Sequence, residues 1–364
     1  DDFDAHLRLA RLYAWSLQYN NSVAHYAWCV NKEPESVDVR YELAQTLTYA
    51  RRYNEAANQF SIILSQDPNR DDVRMELAKM YMYSDQTDQA IREYEVLLQR
   101  NPNHYEASMA LANIYSWDRR YYHRAVDLYR TLFLKYPKNF EAKIEYGRML
   151  YEMGEFKDAE QAYRAAIDLD PNNVDAHLML GRIYVSQKDN GAAISEFNKV
   201  LQLKSDHPDA HFHLAQIYAA NEANWDQAIE HGLLVLESDP KNDEMRETLA
   251  RIYSAREQYA EAAKHYHILS ENNPEDYDYL YQYALHLSYA GQYTKAVSQF
   301  QKLVETNPND TKVRLEMGMA FLAMGQYNDA IANLEFVTEQ DPWEIRARYG
   351  LARAFKKNGQ VNDA

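Results

Sequence analysis

Nine of the ten prolines stand at one interval. Pro34, Pro68, Pro102, Pro137, Pro171, Pro240, Pro274, Pro308 and Pro342 are separated by 34 or 35 residues, or by twice that between Pro171 and Pro240. The tenth, Pro208, falls three residues late, and Ser205 takes the joint instead. Proline ends a helix because it lacks an N–H and pushes the residue before it out of helical geometry. Asp or Asn often precedes it, as in Asp67-Pro68, Asn101-Pro102 and Asp239-Pro240, which is turn chemistry. A chain that reserves proline for one recurring joint is a series of like units, and a fixed period of this length is the mark of a helical repeat array.

Counting back from each joint gives eleven repeat starts: Phe3, Val37, Asp71, Tyr105, Phe140, Val174, Pro208, Asp243, Tyr277, Thr311 and Ile345. The fourth and seventh repeats carry one extra residue, within Trp117–His123 and Ala219–Trp225. Inside each repeat, apolar residues recur at steps of three and four, so two helices joined by a short turn are predicted. The expected fold is all-α, a single array over residues 1–364 with its last repeat truncated. The alternating tyrosines of Tyr277-Asp278-Tyr279-Leu280-Tyr281-Gln282-Tyr283 read locally as a strand, but the register places them around the first helix of repeat nine.

Two rows of small residues accompany the period. The eighth position reads Ala10, Ala44, Ala78, Ala112, Gly147, Gly181, Ala215, Ala250, Ala284, Gly318 and Ala352. Early in the second helix come Ser22, Ala56, Ala90, Ala125, Ala159, Ala193, Ala228, Ala262, Ala296, Ala330 and Ala364. Small side chains let the two helices of a hairpin approach, and large ones such as Tyr81 and Tyr94, Tyr115 and Tyr129, Tyr184 and Phe197, or Tyr253 and Tyr266 fill the space around them. Gly232 departs from the pattern where a large apolar residue belongs, which predicts loose packing in repeat seven.

The pattern Leu-Ala/Gly-x-x-Tyr, then Ala-x-x-x-Tyr/Phe, then Pro at this period resembles the tetratricopeptide (TPR) repeat over essentially the whole chain. The resemblance implies a right-handed superhelix of about ten and a half helix-turn-helix repeats. It also implies that the first helices line a concave groove, which positions two, five, nine, twelve and thirteen face. Position five carries no lysine, so the carboxylate clamp of the family's best-understood peptide receptors is not expected.

Three rows on that face are candidates for binding. Position nine reads Arg11, Gln45, Lys79, Asn113, Arg148, Arg182, Gln216, Arg251, His286, Met319 and Arg353, never acidic in a chain of net charge −16. These residues either pair with nearby acids or form a polar track for acidic or hydroxyl-rich ligands. Position thirteen reads Trp15, Tyr49, Tyr83 and Trp117, with Tyr151 at position twelve as an extension, and lapses until Tyr289. The aromatics either pack between repeats or stack on sugars or an extended peptide. Position two is acidic in nine repeats, from Asp4 to Asp278, where the helix dipole alone accounts for a carboxylate. Lys312 and Arg346 break that row, so the C-terminal end of the groove is expected to be less acidic.

The acidic balance argues against non-specific nucleic-acid binding. No run is long and apolar enough to insert in a membrane. The chain starts and stops inside a repeat, which reads as a segment of something longer. The only cysteine, Cys29, falls on a packing position and is not expected to be a nucleophile. Among the histidines, His211 and His213, and likewise His265 and His267, are two apart on a helix and point to different sides, so no metal site is predicted. There is no phosphate-cradling glycine loop, and no catalytic group or cofactor is expected.

The expected function is a non-catalytic scaffold holding a protein partner or extended peptide segment along its groove. A second resemblance points elsewhere. The turns Tyr13-Ala14-Trp15-Ser16-Leu17-Gln18-Tyr19 and Tyr115-Ser116-Trp117-Asp118-Arg119-Arg120-Tyr121 are similar to those of TPR arrays in bacterial exopolysaccharide export and assembly. That implies a periplasmic scaffold that guides polysaccharide or recruits modifying enzymes, whereas the scaffold reading alone is equally at home in the cytoplasm.

Overall fold

The computed structural model describes residues 2–360. All regular structure among them is helical. The helices are α1 (Phe3–Trp15), α2 (Tyr19–Lys32), α3 (Val37–Tyr49), α4 (Tyr53–Gln66), α5 (Asp71–Tyr83), α6 (Thr87–Arg100), α7 (Tyr105–Tyr115), α8 (Tyr122–Lys135), α9 (Phe140–Glu152), α10 (Phe156–Ile167) and α11 (Val174–Gln187). They continue with α12 (Asn190–Leu203), α13 (Pro208–Ala219), α14 (Trp225–Ser238), α15 (Asp243–Ala255), α16 (Tyr259–Asn272), α17 (Tyr277–Tyr289), α18 (Tyr293–Thr306), α19 (Thr311–Met324), α20 (Tyr327–Gln340) and α21 (Ile345–Lys357). The first helix of every repeat starts at the residue given by the proline count, and the run of tyrosines from Tyr277 lies in α17. The chain divides into two compact units, Asp1–Gln187 and Lys188–Ala364, with α1–α11 in the first and α12–α21 in the second. Within each unit, consecutive helices pack on one another as stacked hairpins.

The helix starts explain the late proline. Pro208 is the first residue of α13, where no N–H is required. At several other joints a side chain caps the helix: Asn139 accepts from the Ala142 amide at 2.7 Å, Asn242 from Met245 at 3.0 Å, and Asp310 from Lys312 and Val313 at 2.9 and 3.1 Å.

The middle turn has one geometric demand. Its fifteenth position is left-handed at Gly154, Gly291, Gly325 and Gly359, and equally at Leu17, Arg51, Asp85, Lys188 and Glu257. Only glycine adopts that backbone without a Cβ penalty. Leu17, at φ 60, is also solvent-exposed, so Leu17→Gly is expected to raise stability by up to about 1 kcal/mol in a denaturant titration. The two one-residue insertions escape the demand differently. They form 3-10 turns, Arg119–Tyr121 and Glu222–Asn224, opened by Asp118 and Asn221 accepting from the Arg120 and Ala223 amides, each at 3.0 Å.

The small rows do what their size allows. Ala10, Ala44, Ala78, Ala112, Ala215, Ala250 and Ala284 are fully buried, and in repeat one the Ser22 hydroxyl donates to the Ala10 carbonyl at 2.7 Å. Ala352 differs in being exposed, and Ala364 lies outside the described residues. Around these contacts sit fully buried large side chains, Phe60, Tyr129, Tyr163, Phe197 and Phe300 among them.

Gly232 is not a loose spot. Its twenty-fourth repeat position holds a ring in most other repeats. Here Leu249 and Met245 of α15 come into the vacated room: a Cβ on Gly232 would lie 2.9 Å from Leu249 Cδ2 and 3.0 Å from Met245 Sδ. Both residues are fully buried, so packing is restored from the next repeat.

Candidate ligand-binding face

The first helices of unit 1 bring four of the sequence candidates together. Arg11 and Trp15 of α1 and Gln45 and Tyr49 of α3 line one recess of about 430 Å³, closed at its base by Tyr26 and Glu42 and flanked by Tyr19. The recess arises because α1, α2 and α3 meet where position nine and position thirteen are one turn apart on the same helical face.

Its floor is an electrostatically closed set. Arg11 donates from Nε to Glu42 Oε2 at 2.8 Å and from Nη2 to Oε1 at 2.5 Å, and the Tyr26 hydroxyl donates to Glu42 Oε2 at 2.6 Å. The Arg11 hydrogen bonds hold the Glu42 carboxyl below the usual carboxylate range. Burial, with the Glu42 carboxylate next, pushes the Tyr26 hydroxyl up. Arg11 is therefore an ion-pair partner, not a free cation. Because the pair is half open to solvent, Arg11→Ala is expected to cost less than about 1 kcal/mol in thermal unfolding.

Two further cations of position nine in unit 1 are closed in the same way. Lys79 meets Glu76 at 2.7 Å, and Arg148 meets Glu145 at 2.7 Å while reaching Ser116 at 3.3 Å. Asn113 accepts from the buried Tyr129 hydroxyl. Arg182 lies 5.9 Å from the Tyr151 ring centre. The expected cationic track is thus largely neutralised by its own scaffold. Arg251, in unit 2, is exposed and makes no ion pair among the described residues. The break in the acidic row also has a partner: Arg346 is held by both oxygens of the buried Glu316, at 2.6 and 3.1 Å.

Position thirteen stays open. Trp15 is 84% exposed, Tyr49 65%, Tyr83 59% and Trp117 68%. The tyrosines are nevertheless supported from the side. Tyr49 stacks on Tyr19 at 5.7 Å, Tyr83 leans on Tyr53 at 5.0 Å, and in unit 2 Tyr289 leans on Tyr259 at 5.1 Å. Each support is the first residue of the preceding repeat's second helix. Thr87 holds that place before Trp117, which makes no ring contact among the described residues. Tyr151 does not continue the open row: it is half-buried, 5.6 Å from Phe156 and under Arg182.

Reading the rows one at a time missed the residues that decide this face. Glu42, Glu76, Glu145 and Glu316 share the sixth repeat position, three residues before position nine, where they face the cations across or along a helix. Tyr19 and Tyr53 share the seventeenth. Both columns are visible once the repeats are aligned.

Comparisons with known proteins agree with this architecture. A family model described as tetratricopeptide repeat matches residues 75–115 and 116–174, another so described matches 321–364, and the TPR domain of cytochrome c-type biogenesis protein H matches 161–278. The chain belongs to the tetratricopeptide repeat family. The model of anaphase-promoting complex, cyclosome, subunit 3 covers 255–337 of this TPR chain, so the matches together run unbroken from 75 to 364. No curated protein matches it. The C-terminal part of a TPR repeat-containing protein from Cytophaga hutchinsonii is 16% identical, with a TM-score of 0.58, covering 67% of this chain and 99% of its own. That likeness is one of fold. YrrB, described as a TPR protein with an unusual peptide-binding site, is 19% identical with a TM-score of 0.44 over 52% of this chain and 97% of its own. Yeast Tom70 is 16% identical with a TM-score of 0.37 over 99% and 89%.

Proposed function

We propose that this TPR protein is a non-catalytic scaffold that holds an extended segment of a protein partner against the first helices of repeats one to three. The observation that supports this reading is the contrast between two rows on one face. The cations Arg11 and Lys79 are satisfied internally, while Trp15, Tyr49 and Tyr83 are presented to solvent beside an open recess. Rigid aromatic side chains around a recess anchor a partner by desolvation and ring contact at small entropic cost. The partner segment carries aliphatic or aromatic residues and is not selected for acidity. Panning a displayed library of random linear peptides on the full chain tests this. Enrichment of apolar anchors that are lost on Trp15→Ala supports the reading. Enrichment of acidic peptides, released by salt and indifferent to Trp15→Ala, would contradict it.

The free rings of Trp15 and Trp117 also support a second reading, in which the same row stacks on sugars and the scaffold works in a bacterial envelope, guiding polysaccharide. Retention of envelope glycan that resists protease and is lost after periodate would favour it. Trp117→Ala and Tyr83→Ala would then weaken retention.

A further inference from the structure

The aromatic row of repeats one to three carries polar atoms as well as rings. The indole N–H of Trp15 and the hydroxyls of Tyr19, Tyr49, Tyr53 and Tyr83 make no hydrogen bond among the described residues. Each can donate to a carbonyl. The rings recur in register. Tyr49 lies 5.7 Å from Tyr19 and Tyr83 lies 5.0 Å from Tyr53, and both members of the second pair stand one repeat on from those of the first. The Tyr19–Tyr49 pair is also open on two sides. It borders the recess of Trp15 and Gln45, and a second recess of about 510 Å³ at the turn edge, lined by Leu17, Gln18, Asn21 and Arg51.

The interval between the pairs limits what can follow them. First helices of successive repeats touch: Arg11 of α1 bonds Glu42 of α3 at 2.8 Å, and Thr48 of α3 donates to Met80 of α5 at 3.2 Å. Packed helices lie about 8–10 Å apart, so the ring pair recurs at roughly that step. A bound chain must offer like side chains on one side at the same step. A β-strand offers them at about 7 Å and again at about 14 Å, and misses. An α-helix offers them at about 10.5 Å, seven residues on, but its carbonyls are spent in its own hydrogen bonds and leave the phenol and indole donors unmet. A polyproline II helix repeats every three residues, about 9 Å, and has no internal hydrogen bonds, so its carbonyls are free to accept.

We propose that the segment held on this row is a proline-rich chain in the polyproline II conformation, with an apolar residue, proline above all, at every third place. The inference rests on the scaffold reading above and names the conformation and chemistry of its partner. Residues three apart pack against the Tyr19–Tyr49 and Tyr53–Tyr83 pairs, and carbonyls between them accept from the hydroxyls and from the Trp15 indole. Such a chain is ordered before it binds, which limits the entropy lost on the rings. No charge is needed in the contact, in keeping with Arg11 and Lys79 being paired within the scaffold.

Fluorescence anisotropy of labelled peptides added to the full chain tests this. The probes are polyproline and a peptide of alternating leucine and serine, which offers apolar anchors at the strand interval. Polyproline is expected to bind the tighter of the two by about tenfold or more. Tyr49→Phe with Tyr83→Phe keeps the rings and removes two donors, and is expected to weaken polyproline about fivefold or more while leaving the fold intact. Trp15→Ala with Tyr49→Ala is expected to abolish its binding. Polyproline left unbound, or bound with no loss in either variant, would overturn the proposal. If only the leucine–serine peptide binds and Trp15→Ala releases it, the proposal falls and the scaffold reading stands. If neither peptide binds and a soluble cello-oligosaccharide does so through Trp15, both fall in favour of the sugar reading.

Discussion

Gly147→Val is expected to destabilise unit 1 by about 3 kcal/mol, seen as a shift of the urea midpoint followed by helical circular dichroism. Gly147 of α9 sits in the small eighth-position row. A Cβ there would fall 2.9 Å from Cδ2 and Cε2 of the Tyr163 ring and 3.3 Å from the Ala162 Cβ. Tyr163 is almost fully buried, so the rigid ring has nowhere to go and α9 and α10 must separate. The gain in backbone order that a side chain normally brings to a helical glycine, roughly 0.5–1 kcal/mol, is too small to offset this. Gly191→Ala is the control. Its Cβ would meet only Asp189 Oδ1 at 3.7 Å, and the substitution is expected to be neutral or mildly stabilising. Equal behaviour of the two variants would contradict the close-approach account of the hairpin.

The second large effect is on binding. For a peptide selected on the array, Trp15→Ala with Tyr49→Ala is expected to weaken affinity by about 30-fold or more, corresponding to the 2 kcal/mol of a recess-lining aromatic anchor. Both side chains are mostly outside the core, so thermal stability should change little, although Tyr49 gives up its stack on Tyr19. Lys79→Ala with Arg148→Ala is expected to change affinity less than threefold, about 0.6 kcal/mol, because both cations already serve Glu76 and Glu145. Isothermal titration calorimetry of the two double variants compares the rows side by side.

The parts of this molecule that recur for steric reasons are legible in the sequence. Proline at the joint and alanine or glycine at the eighth position have no cheap substitute, so their columns are nearly uniform and give the helix boundaries. The left-handed turn was hidden because Leu17, Arg51, Asp85, Lys188 and Glu257 accept the strain that Gly154 avoids. The Gly232 column shows a missing ring but not that Leu249 and Met245 of the following repeat occupy its room. The bond from the fourth repeat position back to the carbonyl of the incoming joint, at Pro34, Ser205 and Pro240, was hidden for the opposite reason. Arg40, His211 and Arg246 do one job with different residue types, so no motif marks it.

On the ligand face, position thirteen was legible as an aromatic row, but its exposure was not, because the same residues could have packed between repeats. The cations of position nine were legible too. Their neutralisation was not, because it comes from another column: Glu42 stands one repeat away from Arg11, and Glu76 and Glu145 stand three residues before Lys79 and Arg148.

The most direct test of the aromatic-row account is the affinity of a selected peptide measured across ionic strength, from about 50 to 500 mM salt. The account predicts a nearly flat dependence, since desolvated rings carry the contact and the cations are spent within the scaffold. A steep loss of affinity with salt would contradict it and return the binding to the charged row.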